Sequence, residues 1–275
     1  MNPQGEPATL IVASSADLAS RTLAEALIGE QGFRSTGVSL LGKPVYQKGS
    51  LLLAFFEGTI VSPPDLDQFF NPQAYIFLSR HYAESGIASL TAHTTGNFSA
   101  EAKLGGAPRE LGRSDPSLLK SYLVSLSKRK EELDGYEITM EATHHGPTSL
   151  QKPVLFVELG SSEKYWGDRE AASVVGKALV ESLTEKRTWT KVAIGFGGTH
   201  YPEKFTRVVI EDDVAVSYVA PKYALESVDE MMVGQMIQRT AVPVKYALLD
   251  WKGLGPHKDK IQGLASQFGL EVVRV

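Results

Sequence analysis

The 275-residue chain contains no cysteine. Disulfides and thiolate chemistry are therefore excluded, any zinc site has to be built from His, Asp or Glu, and a nucleophile has to be Ser, Thr, Lys, a carboxylate or activated water. Long apolar runs are also missing. The longest, Leu51-Leu52-Leu53-Ala54-Phe55-Phe56, falls far short of the ~20 residues that cross a bilayer. Met1 to Pro7 carries Glu6 and no basic residue, so it lacks the charged front of a secretory signal, and the expected location is cytoplasmic. Excess positive charge is absent as well: 28 Lys plus Arg face 32 Asp plus Glu, a net charge of −4. That balance argues against a general nucleic-acid binder but leaves room for a local basic cleft. The chain has no His-Glu-x-x-His, no Gly-Lys-Ser/Thr phosphate loop, no Rossmann glycine spacing and no aromatic-interleaved RNA motif, which removes the signatures of zincin peptidases, P-loop NTPases and dinucleotide-binding enzymes.

Short runs rich in Val, Ile, Leu and Phe recur at Ala8–Ala13, Leu51–Phe56, Ala74–Ser79, Pro153–Leu159, Lys191–Phe196, Val214–Ala220, Tyr246–Asp250 and Leu270–Val275. They predict strands, and several are near-continuous, as in strands covered on both faces. Tyr136–Glu141 alternates instead, so the sheet is expected to be mixed. Helical spacing marks Ala16–Gly29, Pro116–Leu133, Asp168–Leu183, Glu226–Arg239 and Lys258–Phe268, with Asp115 and Pro116 forming a start signal. The alternation predicts a layered α/β fold, a mixed, mostly parallel sheet flanked by helices. One domain over residues 1–275 is expected, with a glycine-rich excursion at Thr94–Ser114 over an active-site mouth.

Of six histidines, His81, His93, His144, His145 and His200 sit where strand patterns stop. Side chains just after strand ends converge on the ligand crevice of open α/β sheets. The densest block is Glu141-Ala-Thr-His-His-Gly-Pro-Thr148, where neighbouring histidines on an extended segment should point to opposite sides. A second, Gly195-Phe-Gly-Gly-Thr-His-Tyr201, offers backbone N–H groups of Gly195, Gly197, Gly198 and Thr199 to an anion or oxyanion; a plain tight turn fits it equally well. Ser79-Arg80-His81 places polar groups at another strand end, with a structural carboxylate partner as the alternative for Arg80. Glu158 lies within an apolar strand, where a buried carboxylate must be paired, protonated or metal-bound. Basic groups gather at Lys128-Arg129-Lys130, Lys186-Arg187, and Lys252, Lys258 and Lys260, and each cluster reads first as a solvated face. His257 reads as a helix start.

Together, the Glu141–Thr148 block, Val157-Glu-Leu-Gly-Ser-Ser162 with Trp166, Gly195–Tyr201 and Ser79–His81 resemble the archaeal and plant type of D-aminoacyl-tRNA deacylase. The resemblance runs through most of the chain. It implies hydrolysis of the ester between a D-amino acid, for example D-tyrosine, and the tRNA 3′ end, in chiral proofreading. It also implies a zinc requirement and a fold similar to peptidyl-tRNA hydrolase and nucleoside phosphorylases. Chemically, such an ester needs delivered water, a base and oxyanion donors. Candidate zinc ligands are His93, His144, His145, His200 and Glu158; His144, His145, His200 and Glu141 are the candidate catalytic groups, and Ser79, Arg80, His81 and the glycine turn the candidate substrate contacts. No protein partner is implied. The rival readings are a zinc amidohydrolase or peptidase acting on a small molecule, a non-catalytic RNA or nucleotide-binding module, and a peptidyl-tRNA hydrolase.

Overall fold

The structure, a computed structural model, describes residues 9–185 and 187–275. The amino-terminal stretch read above for targeting, Ala8 and Lys186 lie outside them. In chain order the elements are β1 Thr9–Ser14, α1 Leu18–Gly29, β2 Arg34–Leu40, β3 Lys43–Lys48, β4 Leu51–Phe56, β5 Ala74–Arg80, β6 Ser89–His93, α2 Pro116–Ser127, β7 Glu137–Met140, β8 Val154–Leu159, α3 Glu163–Trp166, α4 Arg169–Thr184, β9 Lys191–Phe196, α5 Glu203–Glu211, β10 Val214–Ala220, α6 Glu230–Gln238, β11 Tyr246–Leu249, α7 Lys258–Gln267 and β12 Glu271–Arg274.

The strands form two sheets, of order β2-β3-β4-β1-β5-β8-β6-β7 and β10-β9-β11-β12. In the larger, β4, β1, β5 and β8 are mutually parallel, β2–β3 adds an antiparallel hairpin, and β6 meets β8 antiparallel before pairing in parallel with β7. The smaller sheet is wholly parallel. The architecture is the expected mixed, mostly parallel α/β fold, divided between two sheets.

Near-continuous apolar sequence follows from double coverage. In β1, β5 and β8 alternate residues enter opposite cores: Ile11, Ile76, Leu78, Leu155 and Val157 pack toward α1, α2 and α4, and Leu10, Val12, Tyr75, Phe77 and Phe156 fill the other face. The first of these cores continues into the smaller sheet through Ala193, Val216 and Leu248 with Phe205 and Val209 of α5. Beyond that sheet a separate core gathers Ile194, Phe196, Tyr218 and Leu249 against α6 and α7.

Helix starts follow the expected chemistry. The carboxylates of Asp17, Asp115, Asp168 and Asp229 each accept a first-turn N–H, supplying partners that the helix itself cannot. The expected helix over Pro116–Leu133 stops at Ser127 and is followed by a short 3-10 turn, and Glu226–Arg239 likewise divides into a 3-10 segment and α6.

Candidate functional site: a buried histidine and glutamate cluster

Period two on the larger sheet places the first functional groups. His93 and Thr91 of β6 pair with Phe156 and Glu158 of β8, so all four side chains share the face that Phe77 and Phe156 occupy deeper in the sheet. Thr91 Oγ1 donates to Glu158 Oε2 at 3.0 Å, and the His93 ring stacks on Phe156 at 5.2 Å. His81 follows β5, Glu141 follows β7, and His200 arrives on the turn after β9. Because β6 and β7 run opposite to β5 and β8, the residues do not share one carboxyl edge as expected; they meet on an open sheet face beside it.

The block from Glu141 to His145 is stitched to the second sheet. Ala142 N–H donates to His200 O at 2.8 Å and Thr143 N–H to Val219 O at 3.0 Å, while Val219 N–H donates back to Thr143 Oγ1 at 3.1 Å. His145 then adopts a φ of +44°, uncommon for a residue bearing Cβ. This turn corrects the expectation that His144 and His145 point apart: their ring centroids lie 4.4 Å from each other, and both adjoin His93, at 4.1 and 4.7 Å respectively.

Their protonation pattern follows from their partners. Nδ1 of His93 faces Thr94 O at 3.1 Å, that of His144 faces Ala142 O at 2.8 Å, and that of His145 faces Gly146 O at 2.6 Å. A carbonyl only accepts, so each Nδ1 carries a proton and Nε2 is the atom left to face another partner. For His93 burial works against charge, and Glu158 and Glu141 overcome it to raise the ring above the ordinary histidine value. One nitrogen from each ring lies within 4.8 Å of the other two. Burial, and then the neighbouring imidazoles, pushes His144 well below the ordinary histidine range; burial brings His145 down to about 4.

The carboxylates form the other half. Glu141 Oε2 lies 2.7 Å from His200 Nε2 and 3.7 Å from His144 Nε2; its Oε1 is 3.1 Å from His81 Nδ1. That last contact is off the hydrogen-bond direction, leaving the buried Oε1 without a donor, and His93 Nε2, 3.6 Å from Glu158 Oε1, is likewise buried without a hydrogen bond. Burial opposes ionisation of Glu141, but His200 and His81 hold it well below the usual carboxylate range. His81 stands between Glu141 and Glu158, 3.4 Å from the latter. Burial works against its charge, and the two carboxylates overcome this to raise it to about 10.

A cleft of about 580 Å³ opens onto the cluster, lined among others by Asp17, Ile60, Arg80, His81, Leu104 and His145. Ser79 lines it too, its hydroxyl turned onto Arg80 O. Arg80 takes the alternative role foreseen for it: its N–H and Nε lie 3.4 and 3.8 Å from the Asp17 carboxylate, with the guanidinium over Trp166. The Thr94–Ser114 excursion brings Leu104 to this mouth. It is fastened there by Asn97 to Gly105 O, Ala107 N–H to Thr148 Oγ1 and Arg239 to Glu110.

The glycine turn is itself packed and bonded. Gly197 N–H already donates to Ala220 O, and Gly197 and Gly198 pack on the turn at Asp250 and Gly253, where a Cβ on Gly253 would lie 2.4 Å from Gly198 N. Thr199 bonds to Tyr201 O. The turn's contribution is to deliver His200. His257 sits in the 3-10 turn before α7, away from the cluster. Sequence reasoning passed over Thr91, Tyr201, whose hydroxyl is 3.3 Å from His81 Nε2, and Tyr223, whose hydroxyl is 2.9 Å from His200 Nδ1. Only Tyr201 carried a signal, its adjacency to His200.

Three imidazoles with ring nitrogens within 4.8 Å of one another, a buried carboxylate with one oxygen unpartnered and a cleft leading to both fit a hydrolytic enzyme of layered α/β fold. A family model for D-aminoacyl-tRNA deacylases matches residues 68–273, and the chain belongs to that family. Similar curated proteins include D-aminoacyl-tRNA deacylases of Cenarchaeum symbiosum, 45% identical over 72% of this chain and 76% of the relative, and of Thermococcus onnurineus, 35% identical over 96% of this chain and 99% of the relative. A crystal structure of a conserved protein of unknown function superposes with a TM-score of 0.89 at 28% identity, covering 98% of this chain and 95% of that one. Among the described residues no helix is long and apolar enough to cross a membrane.

Proposed function

We propose that this chain hydrolyses the ester between a D-amino acid, D-tyrosine among them, and the 3′ end of tRNA, with water activated at a zinc ion held by His93, His144 and His145. The observation that carries the reading is the convergence of these three rings, one nitrogen of each lying within 4.8 Å of the other two. Backbone carbonyls hold each Nδ1–H, as they do for metal-bound histidines, and the unpartnered His93 Nε2 leaves a buried polar atom in want of a partner, a cost of about 1–3 kcal/mol. Two other groupings, Glu141 with His144 and His200, and His81 with Glu141 and Glu158, also bring ligand atoms within 4.8 Å. Their atoms already pair with one another, His200 Nε2 with Glu141 above all.

Zinc held by these three rings would supply Lewis acidity, the chemistry that makes water a nucleophile at neutral pH. Glu141 would serve as the proton acceptor through Oε1, the oxygen left without a donor while Oε2 is taken by His200. His200, half exposed, holds Glu141 Oε2 through Nε2–H and meets the Tyr223 hydroxyl at Nδ1, so it orients the carboxylate. Glu158 and His81 hold the geometry from below. The substrate's ester enters by the cleft beside Arg80 and Leu104.

The test compares release of D-tyrosine and L-tyrosine from charged tRNA, with and without a zinc chelator. Rapid, chelator-sensitive loss of the D form alone is expected. Cleavage of neither ester by folded, zinc-loaded protein overturns the reading.

A further inference from the structure

All four strands of the smaller sheet are parallel, so the segments leaving them emerge along one edge. After β9 comes the turn to His200; after β10, Lys222 and Tyr223; after β11, Trp251 and Lys252; and β12 ends at Arg274. Contacts bind these ends together. Lys222 N–H donates to Gly198 O at 2.9 Å, a Cβ on Gly255 would meet Lys222 Cε at 3.8 Å, and Tyr223 reaches His200.

This edge carries cations that form no ion pair among the described residues. Most surface cations elsewhere are in ion pairs or on carbonyls, Arg109 with Asp229 and Lys177 with Glu132 among them. Among the described residues no ion pair joins Lys222, Lys252, Lys258 or Arg274 to a carboxylate. Asp250, two residues before Lys252, is committed to Lys204 at 2.8 Å, and Asp259, next to Lys258 in sequence, forms no ion pair with it among the described residues. Instead the Trp251 ring holds the Arg274 guanidinium at 3.7 Å and the Lys258 ammonium at 5.1 Å. An aromatic face positions a cation without cancelling its charge. A chain of net charge −4 thus keeps four free cations in one ledge that runs to His200.

The geometry points to this ledge, Lys222, Lys252, Lys258 and Arg274 around Trp251, as the docking surface for the sugar-phosphate backbone of the tRNA acceptor arm. The inference rests on the proposed function and adds where the body of the substrate lies. Cations free of ion pairs suit a run of phosphates. Phosphate contacts fix orientation without reading sequence, so the ledge suits many tRNAs charged with different amino acids.

The experiment combines Lys222→Gln, Lys252→Gln and Lys258→Gln in the full chain. D-tyrosyl-tRNA is compared with 3′-O-D-tyrosyl-adenosine, which has no phosphates, across a range of salt. For tRNA, KM at ~0.1 M salt should rise by roughly tenfold to a hundredfold, and the logarithmic salt slope should flatten by about 2–3, at about 0.7–0.9 per lost phosphate contact. Turnover of the adenosine ester should stay at the parental rate, which also reports an intact fold; Lys252→Gln alone should remove about one contact's slope. An unchanged KM and slope in a variant that still cleaves the adenosine ester overturns the ledge while leaving the proposed function standing, as does loss of binding to a protein rather than to tRNA. Failure of the parental protein on D-tyrosyl-tRNA overturns the proposed function, and the ledge falls with it.

Discussion

If His93, His144 and His145 hold zinc, the ion must stabilise the fold, because the three rings come from β6 and from a turn pinned to the second sheet, and unfolding separates them. The size of the effect can be worked out. A ligand at 1,000 times its Kd adds about 4.1 kcal/mol. At roughly 2.1 cal/mol/K per residue, 275 residues give an unfolding entropy of about 0.58 kcal/mol/K, so the melting temperature should rise by about 7 °C. Each further decade of free zinc adds about 1.4 kcal/mol, hence about 2.4 °C. Calorimetry of chelator-treated protein titrated with buffered zinc measures this directly and needs no substrate. His145→Ala should abolish the dependence. His200→Ala should preserve it, since His200 Nε2–H is committed to Glu141. A melting temperature indifferent to zinc refutes the assignment, and a dependence lost with His200 but kept without His145 moves the ion to the Glu141 side.

Glu141→Gln keeps an acceptor for His200 while removing the base, so kcat should fall by roughly 10²–10⁴-fold with zinc content and melting behaviour retained; a kcat within a fewfold of the parent assigns the base elsewhere. His81 supplies a pH prediction for metal-stripped protein. Its folded value is raised from 6.5 to about 10, so its stabilisation is fully present below about 6.5 and is lost as pH climbs through about 10. The denaturant midpoint should therefore decline across that window, more steeply than in His81→Asn.

Much of this was legible because the sequence marked its strands by apolar content and its chemistry by histidine. β1, β4, β5, β8, β9, β10 and β11 are buried on both faces, and their runs stand out for that reason. The hairpin strands β2 and β3 did not. Arg34–Leu40 is mostly exposed and is a strand only because β3 and β4 pair beside it, a tertiary cause without a local signature. Helix α5 was missed because Phe205, Val208 and Val209 make a short stripe on nine residues. All five strand-end histidines reached the site, yet their arrangement was not readable. The left-handed turn at His145 reverses the expected side-chain direction, and the antiparallel entry of β6 moves the cluster from a sheet edge to a face. The glycines of the Gly195–Gly198 turn looked like an anion cradle, and packing gives them a steric need as well, Gly195 against Phe205 and Val219 and Gly197 against Asp250 and Gly253.

What couples the sheets also holds the chemistry. Between Val216 and Val219 the register of β10 on β9 shifts by a bulge, and bulges free backbone groups and re-aim them. Here Ser217 O accepts from Thr94 Oγ1 at 2.9 Å, and Val219 N–H donates to Thr143 Oγ1 at 3.1 Å. Thr94 and Thr143 share a further bond at 3.0 Å. They stand next to His93 and His144, so the bulge fixes the spacing of two rings from different segments. Thr143→Val retains the shape and deletes the hydroxyl. Val219 N–H then stays buried without a partner, at a cost of about 1–3 kcal/mol, while no group that touches substrate is altered. The expected result is a folded protein with a modestly lower melting temperature, zinc bound more weakly by roughly 10- to 100-fold, and a kcat that recovers as zinc is raised. Thr143→Ser, which restores the oxygen, should return most of the affinity. If Thr143→Val lowers stability but binds zinc as tightly as the parent, the stitch serves only to join the sheets and the bulge has no part in placing His144.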